Sequence, residues 1–166
     1  ATIYGVSPYG LSQQADITVQ QATEFITKYF NAYPKIKEYI DTTIAFAQKH
    51  GYVQTLLGRK RSIPEITSSN QFRREGAERV AINTPIQGTS ADMIKVAMVT
   101  IHTTFKEKQL KSKMILQVHD ELVFEVPNDE KELIEEIVVS AMKNAITLDV
   151  PVVVDTGWGN NWAEAH

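Results

Sequence analysis

The chain has 166 residues, no cysteine, and a formal net charge of −3, with 43% hydrophobic and 22% charged residues. That composition suits one ordinary globular domain or a lobe of a larger protein, and the lack of cysteine excludes disulfides, thiolate-held metals and thiol nucleophiles from these residues. No apolar run reaches the length of a membrane span, and the first residues do not read as an export signal.

In chain order, "IYGVSPYGL" opens with Tyr4 beside Gly5, followed by Tyr9-Gly10. An aromatic next to glycine can offer a ring face to a base while the backbone approaches closely; a turn with a core tyrosine is the commoner use. Thr18 with Gln21 has the form of a capping box and opens a helical pattern with apolar residues at Val19, Ala22, Phe25, Ile26, Tyr29 and Phe30. Pro34 suits the first turn of a second helix, which His50-Gly51 ends. "YVQTLLGRKRSIP" reads as a small hairpin whose turn, near Gly58, is crowded with Arg59, Lys60 and Arg61. A helix is expected from about Gln71 to Thr84, stopped by Pro85 and Gly88, with Thr89 or Ser90 capping the next. Strands are expected at Met114 to Val118 and Leu122 to Val126. An amphipathic helix should follow from Asp129 to Ile146, then a last strand in "VPVVVD" and an aromatic-studded tail. Helices and strands without strict alternation predict an α+β fold with a small antiparallel sheet.

Charge is unevenly spread. Residues 1–113 carry 15 Lys/Arg against 9 Asp/Glu, and residues 114–166 carry 2 against 11. The first part could face a polyanion, and the second repels one unless cations intervene. Solvated surface explains both charges equally well.

"QVHDELVFEV" places His119, Asp120 and Glu121 side by side in an apolar stretch. Two carboxylates about 4 Å apart repel by roughly 4 kcal/mol at an effective dielectric of 20. A wet turn tolerates this, as does protonation of one group or a bound cation. A hard cation such as Mg²⁺ needs further ligands from elsewhere, as in two-metal phosphoryl transfer.

Arg79, Asn83 and Gln87 are spaced at i, i+4 and i+8 and share one stripe if the helix persists. All three donate hydrogen bonds. In the minor groove every base pair offers a purine N3 or pyrimidine O2 acceptor, so such a row grips without reading sequence. A polar solvent face fits the same spacing.

"IYGVSPYGL", "RVAINTPIQGTSADMIKVAM" and "QVHDELVFEVP" stand in the order and spacing seen near the C-terminus of family A DNA polymerases, the bacterial DNA polymerase I type. "GYVQTLLGRKRSIP" and "GWGNNWAEAH" are similar to that family too, so the resemblance covers essentially the whole chain. It implies a fingers portion over residues 1–70 and the C-terminal half of the palm over 71–166. It also implies that Asp120 is a catalytic, Mg²⁺-binding aspartate with Glu121 as its auxiliary carboxylate, and that His119 contacts the primer end. Arg79, Asn83 and Gln87 would follow the minor groove and the primer–template terminus. Tyr4, with Gly5, would stack near the templating base.

The implied partners are primer–template DNA, deoxynucleoside triphosphates and an upstream polymerase segment, covalent or separate. That segment would carry the triphosphate-holding Arg and Lys and the first palm aspartate, so the 166 residues alone are not expected to polymerise. A bacterial cytoplasm is the default location, with organelle or phage origin open, and no membrane is expected. Two other classes fit parts of the sequence. One is a non-catalytic primer–template binding module. The other is a phosphohydrolase drawing on Asp92, His102 or Glu125 as further ligands.

Overall fold

A computed structural model describes residues 6–165. Its residues fall into two compact units, one running to Thr89 and the other from Ser90.

The first unit begins with a helix that the sequence reading did not anticipate, α1 (Pro8–Ala15). Ser7 caps it by accepting the Gly10 amide at 3.1 Å, Pro8 occupies its first turn, and Asp16 ends it in the left-handed conformation. The Ser7-Pro8 pair carries that signal. Helix α2 (Val19–Ala32) starts at the expected capping box: the Gln21 amide donates to Thr18 Oγ1 at 3.1 Å, and the Thr18 amide donates to Gln21 Oε1 at 2.9 Å. An N-cap of this kind contributes about 1 kcal/mol. Helix α3 (Pro34–His50) ends where Gly51 turns left-handed at φ 75°.

Strands β1 (Tyr52–Gln54) and β2 (Lys60–Ser62) pair antiparallel, and Gly58 at φ 80° makes their turn. The core of this unit joins Ala47, Val53, Ile63, Ile66, Ala77 and Ala81.

The expected break near Pro85 does not occur: α4 runs unbroken over Gln71–Glu107 with Pro85 inside. A proline inside a helix costs about 3 kcal/mol through a lost N–H and a ring clash. Here buried residues on both sides, Ala81, Ile82 and Thr84 before it and Thr89 after, hold the helix course. Thr89 therefore caps nothing; it is buried, and its hydroxyl accepts the Leu56 amide at 3.0 Å.

In the second unit, β3 (Lys113–Val118) and β4 (Glu121–Glu125) form an antiparallel hairpin with an irregularity between Met114 and Leu116. A short 3-10 turn (Asn128–Glu130) leads into α5 (Lys131–Lys143). Ala97, Ile101, Phe105, Ile134 and Val138 form the core, with Met114, Leu122 and Phe124 packed against it.

Glu130 ties this unit together. Its carboxylate accepts the Lys111 and Ser112 amides at 2.8 and 2.9 Å and the Ser112 hydroxyl at 2.6 Å. Those bonds, the Lys111 amide foremost, hold its acidity below the usual carboxylate range. A carboxyl depressed on folding contributes stability above its unfolded value and loses it as pH falls through the folded one. Glu130→Gln is therefore expected to lower the urea midpoint at neutral pH, and the gap should close in acid.

"VPVVVD" is not a strand. Residues 151–159 carry no regular structure, because the β3–β4 hairpin is a two-stranded sheet and no described strand pairs with them. Side-chain bonds fix the segment instead. Thr156 Oγ1 and Trp158 Nε1 donate to Glu135 of α5 at 2.7 and 3.0 Å, and Lys131 Nζ sits 4.6 Å from the Trp158 ring centre. The chain then folds back through α6 (Trp162–Ala165). A Cβ on Gly157 would fall 1.9 Å from the Ala165 carbonyl oxygen, so only glycine fits there.

Candidate nucleotidyl-transfer and DNA-gripping residues

The β3–β4 register pairs Val118 with Glu121, which leaves His119 and Asp120 as a two-residue turn. Glu121 is thus the first residue of the strand rather than part of the turn, and it is half-buried where Asp120 is exposed. His119 takes the left-handed backbone at φ 53°, a place usually filled by Gly, Asn or Asp in such turns. Gln117 Nε2 donates to the His119 carbonyl at 3.0 Å and braces it. The ladder therefore presents Asp120 at a tip, with Glu121 one position behind on a paired strand.

A cavity of about 660 Å³ opens beside this tip, lined by Ser90 and Met93 of α4, by the hairpin and α5, and by residues 152–159. Asp120, Glu121, Glu135 and Asp155 all border it. The Thr156 hydroxyl, then the Trp158 indole, hold Glu135 below the usual carboxylate range. The cavity is thus an acidic place that favours cations. The sequence reading missed Asp155 and Glu135, which the charge excess after residue 113 signalled only in bulk.

The donor set at the tip is two carboxylates, hard oxygen ligands of the kind Mg²⁺ takes. Among the described residues no group of three His, Cys, Asp or Glu is arranged to hold a metal. The pair fits such an ion only as part of its shell, the rest coming from water, phosphate oxygens or another segment. Asp92 is buried while His102 and Glu125 are exposed, and the described residues do not give the phosphohydrolase reading the ligand set it needs.

In the other unit, Arg79, Asn83 and Gln87 all lie on α4, four residues and about 6 Å apart along the axis at each step. Four residues turn the helix by about 40° past a full circle, so the three share a stripe. Gln87 stays helical, not moved to a loop by Pro85. Arg79 and Gln87 are exposed; Asn83 is half-buried, its Oδ1 buried without a hydrogen-bond partner among the described residues. The basic hairpin is partly committed to structure. Arg59 Nη2 donates to the Gly88 carbonyl at 3.0 Å, Arg61 Nη1 to Thr84 Oγ1 at 3.3 Å, and Lys60 Nζ lies 4.4 Å from the Tyr52 ring centre. Tyr4 and Gly5 lie outside the described residues.

Comparison with known proteins gives the class of this mixed α+β chain. Residues 1–164 match the profile of DNA polymerase family A. The chain belongs to that family. It is 51% identical over 162 residues to DNA polymerase I of Caldicellulosiruptor bescii, covering 98% of this chain and 19% of that protein. With DNA polymerase I of Bacillus subtilis (strain 168) it shares 48% identity over 163 residues, 98% of this chain and 18% of the relative. A solved structure, the POL domain of Pol1 from M. smegmatis in complex with DNA primer-template and dNTP, matches at a TM-score of 0.95 and 45% identity, covering 98% of this chain and 29% of that one. The chain spans about a fifth of the length of these curated relatives. Among the described residues no helix is long and apolar enough to cross a membrane.

Proposed function

We propose that this chain supplies the second half of a polymerase active site and part of its grip on DNA. It would serve template-directed synthesis, in which a primer 3′-hydroxyl attacks the α-phosphate of a deoxynucleoside triphosphate and pyrophosphate leaves. The observation that carries this reading is the two-residue turn that lifts Asp120 clear of the sheet with Glu121 behind it, in a member of family A.

Asp120, with Glu121 beside it, is the residue that would hold Mg²⁺. The chemistry such an ion supplies there is stabilisation of charge on the reacting oxygens. Arg79, Asn83 and Gln87 donate to minor-groove acceptors and align the primer end, where about 1 Å of misplacement can cost around 10²-fold in rate. His119 touches the primer terminus, and Tyr4 with Gly5 stacks near the templating base. The other partner is an upstream polymerase segment bearing the first palm aspartate and the triphosphate-holding cations. Residues 1–70 then belong to the fingers, 71–166 to the palm, and the setting is cytoplasmic.

The test is a hybrid in which this chain replaces the matching segment of the Caldicellulosiruptor bescii DNA polymerase I. It is expected to extend a primed template when supplied with Mg²⁺ and nucleotides. A hybrid that folds and binds primer–template with the salt dependence of phosphate contacts, yet never extends, would leave only the DNA-binding module.

A further inference from the structure

We propose that Tyr39 is a positioning residue for the DNA grip: with Arg59 and Arg61 it splints α4 across Pro85 and so holds Arg79, Asn83 and Gln87 in one stripe. This rests on reading that stripe as minor-groove donors.

Pro85 lies between Asn83 and Gln87. It removes the N–H that would bond the Ala81 carbonyl, and its ring crowds that same group. A proline at such a place is a usual cause of a sharp kink, and a kink here would swing Gln87 away from the line of Asn83 and Arg79. Donors from outside the helix converge on that turn. The Tyr39 hydroxyl, from α3, donates to the Ile82 carbonyl at 2.7 Å, one position beyond the Ala81 carbonyl, whose usual N–H partner Pro85 lacks. Arg61 donates to the Thr84 hydroxyl, which itself donates to the Val80 carbonyl at 2.7 Å. Arg59 holds the Gly88 carbonyl. Gly88 lets β1's end come close, since a Cβ there would fall 2.6 Å from Thr55 Cγ2.

These contacts run from Val80 to Gly88, the span that carries Asn83 and Gln87. Tyr39 reaches across 43 residues of sequence to make its contact, and Thr43 of its own helix bonds the same hydroxyl. Burial pushes the pKa of the Tyr39 phenol up from its ordinary value, so it remains a donor at neutral pH.

The experiment measures binding of the full chain to two primer–templates by fluorescence anisotropy. One is ordinary; in the other the last three primer purines are 3-deaza analogues, which lack the N3 acceptor. The wild-type chain is expected to bind the analogue about tenfold more weakly, the size of one or two lost net hydrogen bonds. Tyr39→Phe, which removes only the hydroxyl, should cut that ratio to less than about threefold. Thr18→Ala is the control: it weakens the α2 cap, whose bonds join only Thr18 and Gln21, and should lower the thermal midpoint while leaving the ratio at its wild-type value. Arg59→Gln should move the ratio in the same direction as Tyr39→Phe, because a ratio cancels the lost charge; it decides the matter if Tyr39→Phe fails to fold. An unchanged ratio in the variants overturns the positioning role while the minor-groove reading stands. A wild-type ratio of one overturns that reading, and the splint's purpose with it.

Discussion

Asp120→Asn is expected to abolish primer extension by the hybrid polymerase, a loss on the order of 10³-fold or more. Asparagine matches the aspartate in shape and suits a tight turn, so the hairpin persists and only the charge is removed. Because Asp120 sits exposed at the tip, with Glu121 beside it engaged in the β3–β4 ladder, the change should leave the fold and the affinity for primer–template intact. Glu121→Gln should lose less, about 10- to 10²-fold, as expected of a supporting carboxylate. Single-turnover extension measures the loss, and anisotropy confirms that DNA still binds. Extension by Asp120→Asn at anything near the wild-type rate would remove the metal role from this residue.

Ile101→Ala is expected to cost the second unit about 3 kcal/mol, the range for truncating a buried branched side chain that leaves a cavity. Ile101 is fully buried, in the cluster formed by Ala97, Phe105, Ile134 and Val138. The hairpin packs on that same cluster through Met114, Leu122 and Phe124, so the void lies beneath the strands that carry Asp120. Val99→Ala, two residues away on the solvent side at 66% exposure, should change stability by less than about 0.5 kcal/mol. Urea unfolding followed by far-ultraviolet circular dichroism separates the two. Equal midpoints for both variants would contradict the core as described.

The elements that were legible from sequence carry their signals locally. Thr18 and Gln21, Pro34 and Gly51, and the glycine turn at Gly58 each specify their structure within a few residues. The acidic tip was legible for a similar reason, since a three-residue interval between apolar runs leaves little but a hairpin. What was hidden depends on distant partners. Pro85 punctuates a sequence as a stop, yet the helix continues because long-range packing and donors from α3 and β2 hold it there. The Val152, Val153 and Val154 run has strand composition, but a ladder partner decides whether a strand exists, and side-chain bonds to Glu135 took its place. Arg79, Asn83 and Gln87 were visible as a spacing; the supports around them were not. No local pattern marks Tyr39 as reaching Ile82.

The chain's two tryptophans, Trp158 and Trp162, both stand in the closing segment, and one of them donates its indole N–H to Glu135 beneath a lysine cation. Intrinsic emission is thus a local gauge. When the segment lifts from α5, the Trp158 ring loses its carboxylate and its cation together, and the spectrum should shift before the backbone melts. Conversely, residues up to Thr89 contain no indole, and a melting curve followed by tryptophan light alone would be blind to their unfolding.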